Sequence, residues 1–176
     1  MSETEAGRKA PPLQLPDTAG ELRTLPAGPA EAAATVVFWT CNHCPYALAW
    51  HDRLVDVAGD YSDRGVRFLA VNSNDAERYP ADSPDAMRER FEREAWPFPY
   101  LWDSTQQAAR EWGARTTPHV FVLDPEGRIR YEGAPDADHR DPSLRADWLR
   151  AALDAVLAGD EPPQSTEPVG CSIKWT

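Results

Sequence analysis

Two cysteines, Cys41 and Cys44, lie two residues apart with Pro45 directly after them, at the point where an apolar run gives way to an amphipathic one. That junction constrains the chain more than any other feature. Residues 33–40 are rich in β-branched and aromatic side chains, the pattern of a central strand buried on both faces. From about 45 to 62, Tyr46, Trp50, Leu54, Val57 and Tyr61 recur at the spacing of one helix face. A strand that turns into a helix through Cys-x-x-Cys puts sulfur at a helix N-terminus, where unpaired N–H groups and the dipole favour the thiolate. His43, between the two thiols, adds an imidazole that stabilises the anion when protonated. The pattern points to a redox dithiol, with the two sulfurs spaced to close a small disulfide ring.

The remaining segments read as alternating strands and helices. Leu13, Leu15, Leu22 and Leu25 around Asp17-Thr18-Ala19-Gly20 predict a hairpin, and residues 66–71 a second strand. Ser83-Pro84 is an N-cap with proline at the first helical position, opening a helix to about Ala95. A short strand at 100–102, a helix over 104–112 and a strand at 119–123 follow. The turn Asp124-Pro125-Glu126-Gly127 leads into a strand at 128–132, and the last helix spans 144–157. The order predicts an α/β/α sandwich whose sheet begins parallel and ends antiparallel. Residues 1–11 read as a disordered lead, 12–158 as one domain, and 159–176 as a tail carrying Cys171.

A net charge of −11 argues against nucleic acid or an anionic membrane surface as partner. No segment approaches the roughly 20 apolar residues of a membrane helix, and residues 1–10 lack the apolar core of a signal peptide. The expectation is a soluble, cytoplasmic protein.

The strand, the Cys-x-x-Cys opening a helix, Thr117-Pro118 just before a strand, and the closing hairpin together resemble the thioredoxin-fold superfamily over residues 10–158. Within it, Cys41-Asn42-His43-Cys44-Pro45-Tyr46 and the ending Gly170-Cys171-Ser172-Ile173-Lys174-Trp175 resemble the peroxiredoxin-like group, filed with the alkyl hydroperoxide reductase and thiol-specific antioxidant proteins. The resemblance implies a thioredoxin-like α/β/α sandwich with a mixed sheet. It also implies a thiol–disulfide oxidoreductase that needs no cofactor or metal. Disulfide-bearing proteins, small thiols and peroxides are its implied substrates, and a dithiol donor such as a thioredoxin system its implied reductant. By the same resemblance Pro118 is a cis-proline packed against the disulfide, and Thr117 presents its backbone to an incoming chain.

The chain departs from both relatives. Where thioredoxins carry a buried acid that helps deprotonate the second cysteine, this chain has Val37, so the proton must go to water or another base. Aligned with the Thr-x-x-Cys of peroxiredoxins, Cys44 takes the peroxide-attacking place, Cys41 replaces the threonine, and Pro118 stands where the peroxide-polarising arginine belongs, with Arg115 nearby.

The attacking cysteine stays open. With Pro45 at the first helical position, Cys44 is the N-cap; with a helix from Asn42, Cys41 is, and proline in a first turn permits both. The exchange reading takes Cys41 as the exposed attacker and Cys44 as resolver, with Cys171 a further candidate resolver. The alternatives are a thiol-dependent peroxidase using Cys44, and a metal-binding or redox-sensing module in which Cys171, His51, His119 or His139 would complete a zinc site.

Overall fold

The computed structural model describes residues 7–25 and 32–176. The expected disordered lead is corrected for residues 7–11. Lys9 bridges Arg128, the Ala10 amide donates to Gly127 O (2.9 Å), and the Ile129 amide donates to Arg8 O (2.9 Å). Residues 1–6 lie outside the described residues.

Nine strands and four helices follow in chain order: β1 (Leu13–Pro16), β2 (Leu22–Leu25), β3 (Ala34–Trp39), α1 (Pro45–Tyr61), β4 (Val66–Asn72), α2 (Pro84–Glu94), β5 (Tyr100–Trp102), α3 (Gln107–Trp112), β6 (Thr116–Thr117), β7 (His119–Leu123), β8 (Ile129–Gly133), α4 (Asp147–Ala158) and β9 (Cys171–Ser172). The main sheet runs β5-β4-β3-β7-β8, parallel from β5 to β3 and antiparallel beyond it. β1 pairs with β2 as the expected hairpin, and β6 pairs with β9 in a small sheet of its own.

Strand β3 is buried along its whole length, because its two side-chain sets serve two cores. Val36 and Phe38 join Leu54 and Val57 of α1, Met87 of α2 and Leu149 and Leu153 of α4. Val37 and Trp39 join Ala109 and Trp112 of α3, Leu13 and Leu25 of the hairpin, and Ile173 of the C-terminal segment. The result is three layers, with the C-terminal end of β3 and the start of α1 meeting at one edge.

Two helices begin later than the periodicity predicts, each for a local reason. Gln106 takes a left-handed φ of 65°, and the Asp103 carboxylate accepts from the amides of Ala108 (3.2 Å) and Ala109 (3.0 Å), so α3 starts at Gln107. Ala146 has φ 60° and gives its amide to Asp136 Oδ2 (2.8 Å), which delays α4 to Asp147. In contrast, α2 starts as predicted, with the Ser83 side chain accepting from the Ala86 amide (3.1 Å) ahead of Pro84. Among the described residues no helix is long and apolar enough to cross a membrane.

Candidate functional site

The first helical residue is Pro45, and Cys44 is the N-cap of α1 in extended backbone (φ −76°, ψ 124°). Cys41 lies before it, in the loop that leaves β3. Both cysteines have no exposed surface and pack together with Ala47, with Tyr46 and Cys171 against them. All three cysteines are free thiols. The expectation of an exposed Cys41 is therefore corrected: proline at the first helical position moves the helix end to the second sulfur, and the loop folds the first one inward.

The Thr117–Pro118 peptide is cis, and Thr117 faces both sulfurs. Cys41 Sγ lies 3.5 Å from Thr117 Oγ1, and the Cys44 thiol donates to Thr117 O at 3.3 Å. The electrostatics separate the pair. The Cys41 thiol hydrogen bond pulls Cys44 down to about 4 against the opposing effect of burial, with the Cys171 thiol, the Thr117 hydroxyl and the Ala47 amide also favouring the anion. Donation to Cys44, burial and the nearby charge of Asp82 together push Cys41 well above the ordinary thiol range. Burial, with Cys44 beside it, raises Cys171 to about 11. The thiolate belongs to the helix cap, and the two other thiols donate to it.

Asp82 is the residue the sequence reading missed. It is fully buried and collects four contacts from two other loops: the Asn42 amide at 2.7 Å, Asn72 Nδ2 at 3.0 Å, Asn74 Nδ2 at 3.0 Å, and His43 Nδ1 at 2.6 Å from Oδ2. His43, a third exposed, stacks on Tyr79. Asn42 is a second anchor: its amide group donates to Ala81 O and accepts from Arg90 Nη1 and Tyr100 Oη, while Arg90 also donates to Cys41 O (3.0 Å). The polar run Asn72-Ser73-Asn74 at the end of an apolar strand was the available signal, because buried amides at a strand end need partners.

Other candidates lie elsewhere. Arg115 is largely exposed and pairs with Glu167 (3.0 Å). His119 is buried between the Arg115 amide and Glu132, His51 packs on Trp96 with Glu94 near, and His139 packs on Tyr46. The zinc site that Cys171 and these histidines would have completed is not assembled. A different donor set is present, since Cys41 Sγ, His43 Nδ1 and an Asp82 oxygen lie within 4.8 Å of one another. Trp39, expected beside the motif, turns away and donates its indole N–H to Ser73 Oγ (2.8 Å).

Cys171 comes to the site through β9. It pairs antiparallel with β6, Cys171 opposite Thr117 and Ser172 opposite Thr116. The three cysteines, Thr117 and Pro118 named from the sequence thus meet in one place, with His43 on its rim.

Residues 6–132 match the AhpC/TSA family. None of the curated proteins matches the chain. Among solved structures, an uncharacterized conserved protein from Geobacillus kaustophilus is 39% identical, with 97% of this chain and 92% of that one covered at a TM-score of 0.91. A hypothetical protein from Sinorhizobium meliloti 1021 is 36% identical, with 97% and 94% covered at 0.90. The thioredoxin domain of a thiol-disulfide oxidoreductase from Bacteroides vulgatus is 16% identical, with 86% and 97% covered at 0.65. This last likeness is one of fold, and it makes the architecture thioredoxin-like.

Proposed function

This chain belongs to the AhpC/TSA family of thiol redox proteins, and from that premise we propose that it is a thiol–disulfide oxidoreductase whose attacking group is the Cys44 thiolate. The observation that carries the reading is the division of labour within the pair: Cys44 at the helix cap is held as the anion, and Cys41 is held as the thiol that donates to it.

In the first step the Cys44 thiolate attacks one sulfur of a substrate disulfide, and the other sulfur leaves as a thiolate. Cys41 then gives up its proton and attacks the Cys44 sulfur. The remaining substrate sulfur leaves, and a Cys41–Cys44 disulfide remains; two electrons have passed to the substrate. The proton needs an acceptor, and Val37 cannot supply one. Asp82 with His43 stands within reach of Cys41 and opens to solvent through the imidazole, so this pair takes the place of the missing acid. A dithiol donor such as a thioredoxin system would return the pair to the reduced state, in a cytoplasmic setting.

The pH dependence of alkylation tests the thiolate assignment. An ordinary thiol near 8.5 gains reactivity several hundredfold between about pH 5 and 8, as its ionised fraction rises. Cys44, already ionised above pH 5, is expected to react with iodoacetamide at a rate nearly flat across that window, read by mass spectrometry of the modified peptide. A steep rise toward pH 8 at Cys44 would sink the assignment.

Two further readings rest on specific observations. The Cys44 cap is also where a peroxide-attacking thiolate would sit, but Arg115 faces away, so peroxide reduction would proceed without that polarising group. Insulin reduction compared with hydrogen peroxide consumption, each under a dithiol supply, separates the two activities. The Cys41–His43–Asp82 donor set is the basis for a metal-binding reading; both Asp82 oxygens already take two contacts each, which weighs against it.

A further inference from the structure

Both sulfurs of the pair are fully covered, and the C-terminal segment lies over them. Its β9 takes the edge of β6, with Cys171 in register with Thr117, the residue whose carbonyl and hydroxyl face Cys44 and Cys41. Gly170 makes the approach possible. A Cβ there would meet Thr117 O at 2.1 Å and Thr117 C at 2.7 Å, both backbone atoms with nowhere to go. Beyond the strand, the Ile173 amide donates to Arg115 O (3.0 Å), and its side chain is buried beside α3. Lys174 O accepts from the Asp75 amide and from Gln106 Nε2, each at 2.8 Å, and Thr176 donates to Gln106 Oε1.

We propose that residues 170–176 are an intramolecular occupant of the edge that a substrate must use, a strap that puts Cys171 against Cys44 as a substrate sulfur would lie and that has to leave before exchange can begin. The inference rests on the exchange reading for its purpose, but its evidence is separate. The strand is two residues long, its fastenings are mostly hydrogen bonds to loop and side-chain groups, and one buried side chain, Ile173, holds it to the core. A segment held in this way opens far more often than the central strands. The strap also states what the edge accepts: an extended chain with no side chain, or a very small one, directly before its cysteine.

Gly170→Ala tests the strap without removing any residue of it. The added methyl cannot coexist with a docked β9, so the full-length variant is expected to carry its segment undocked. Cys44 should then be alkylated by iodoacetamide at pH 6 at least tenfold faster than in the wild type, while Cys41 and Cys171 stay protonated and unlabelled. An unchanged rate at Cys44 overturns the proposal. Hydrogen exchange on the wild-type protein gives a second measurement that needs no variant. The Ile173 amide is expected to exchange at least a hundredfold faster than the Val122 amide of β7, and equal protection overturns the proposal. The two readings also fail separately. Faster alkylation in Gly170→Ala without disulfide exchange by the wild type sinks the exchange reading and keeps the strap. Exchange activity with unchanged alkylation sinks the strap alone.

Discussion

Cys44→Ser is expected to lower disulfide exchange at least about a thousandfold, because it removes the group that is already ionised at neutral pH. Cys41→Ser is expected to spare the first step and arrest the second. An aromatic disulfide reagent that releases a coloured thiolate distinguishes the steps. The wild type should release two equivalents and end oxidised, Cys41→Ser should release one and retain the adduct on Cys44, and Cys44→Ser should release none in the same time. An adduct on Cys41 in the Cys44→Ser protein would reverse the assignment and restore Cys41 as attacker. Two equivalents from Cys41→Ser, with a Cys44–Cys171 disulfide in its digest, would make Cys171 the resolver instead. Asp82→Asn belongs in the same series. If Asp82 and His43 receive the Cys41 proton, only the second release slows, and its pH profile shifts while that of the first does not.

Asp136→Ala is expected to produce the largest loss of stability. This buried carboxylate accepts from Trp50 Nε1 (2.8 Å), Arg53 Nη1 (3.0 and 2.8 Å to its two oxygens) and the Ala146 amide (2.8 Å). Arg53 in turn donates to the carbonyls of Asp138, His139 and Asp141. Removing the acid strands a mostly buried guanidinium, an indole N–H and an amide together. Breaking one side of a buried pair costs about 3–5 kcal/mol, which in a chain of this size lowers Tm by on the order of 10 °C. Urea unfolding checks it, and a loss below about 1 kcal/mol would mean that water or a neighbour replaces the carboxylate.

The fold was legible because its signals are local or periodic. Period-two and helical spacing marked β3 and α1, Ser83-Pro84 marked the start of α2, and Asp124-Pro125-Glu126-Gly127 marked the β7–β8 turn. The two late helix starts were not legible, since each depends on a carboxylate gripping an amide several residues onward. The site divides in the same way. Cys41, Cys44 and the Thr117-Pro118 step stand out in the chain itself. Which sulfur holds the charge does not, because proline fits either helix start and the decision lies in packing. Asp82 was illegible for a different reason. It sits beside an N-cap in a stretch that reads as loop, and its partners Asn42 and His43 are about 40 residues away. The segment ending in Ile173 and Trp175 was read as an anchored tail. Ile173 is indeed buried, whereas Trp175 remains partly exposed under Arg110, and the pairing of Cys171 with Thr117 could only come from coordinates.

Asp82 also bears on durability. A protein that must make and break sulfur–sulfur bonds in each turnover cannot rely on such a bond to keep its frame in shape. Here the junction that carries the cysteines is tied to the ends of β4 and α2 by one carboxylate and the amides around it, none of which changes when electrons move. The scaffold is thereby insulated from its own chemistry: oxidised or reduced, it keeps the same fastener.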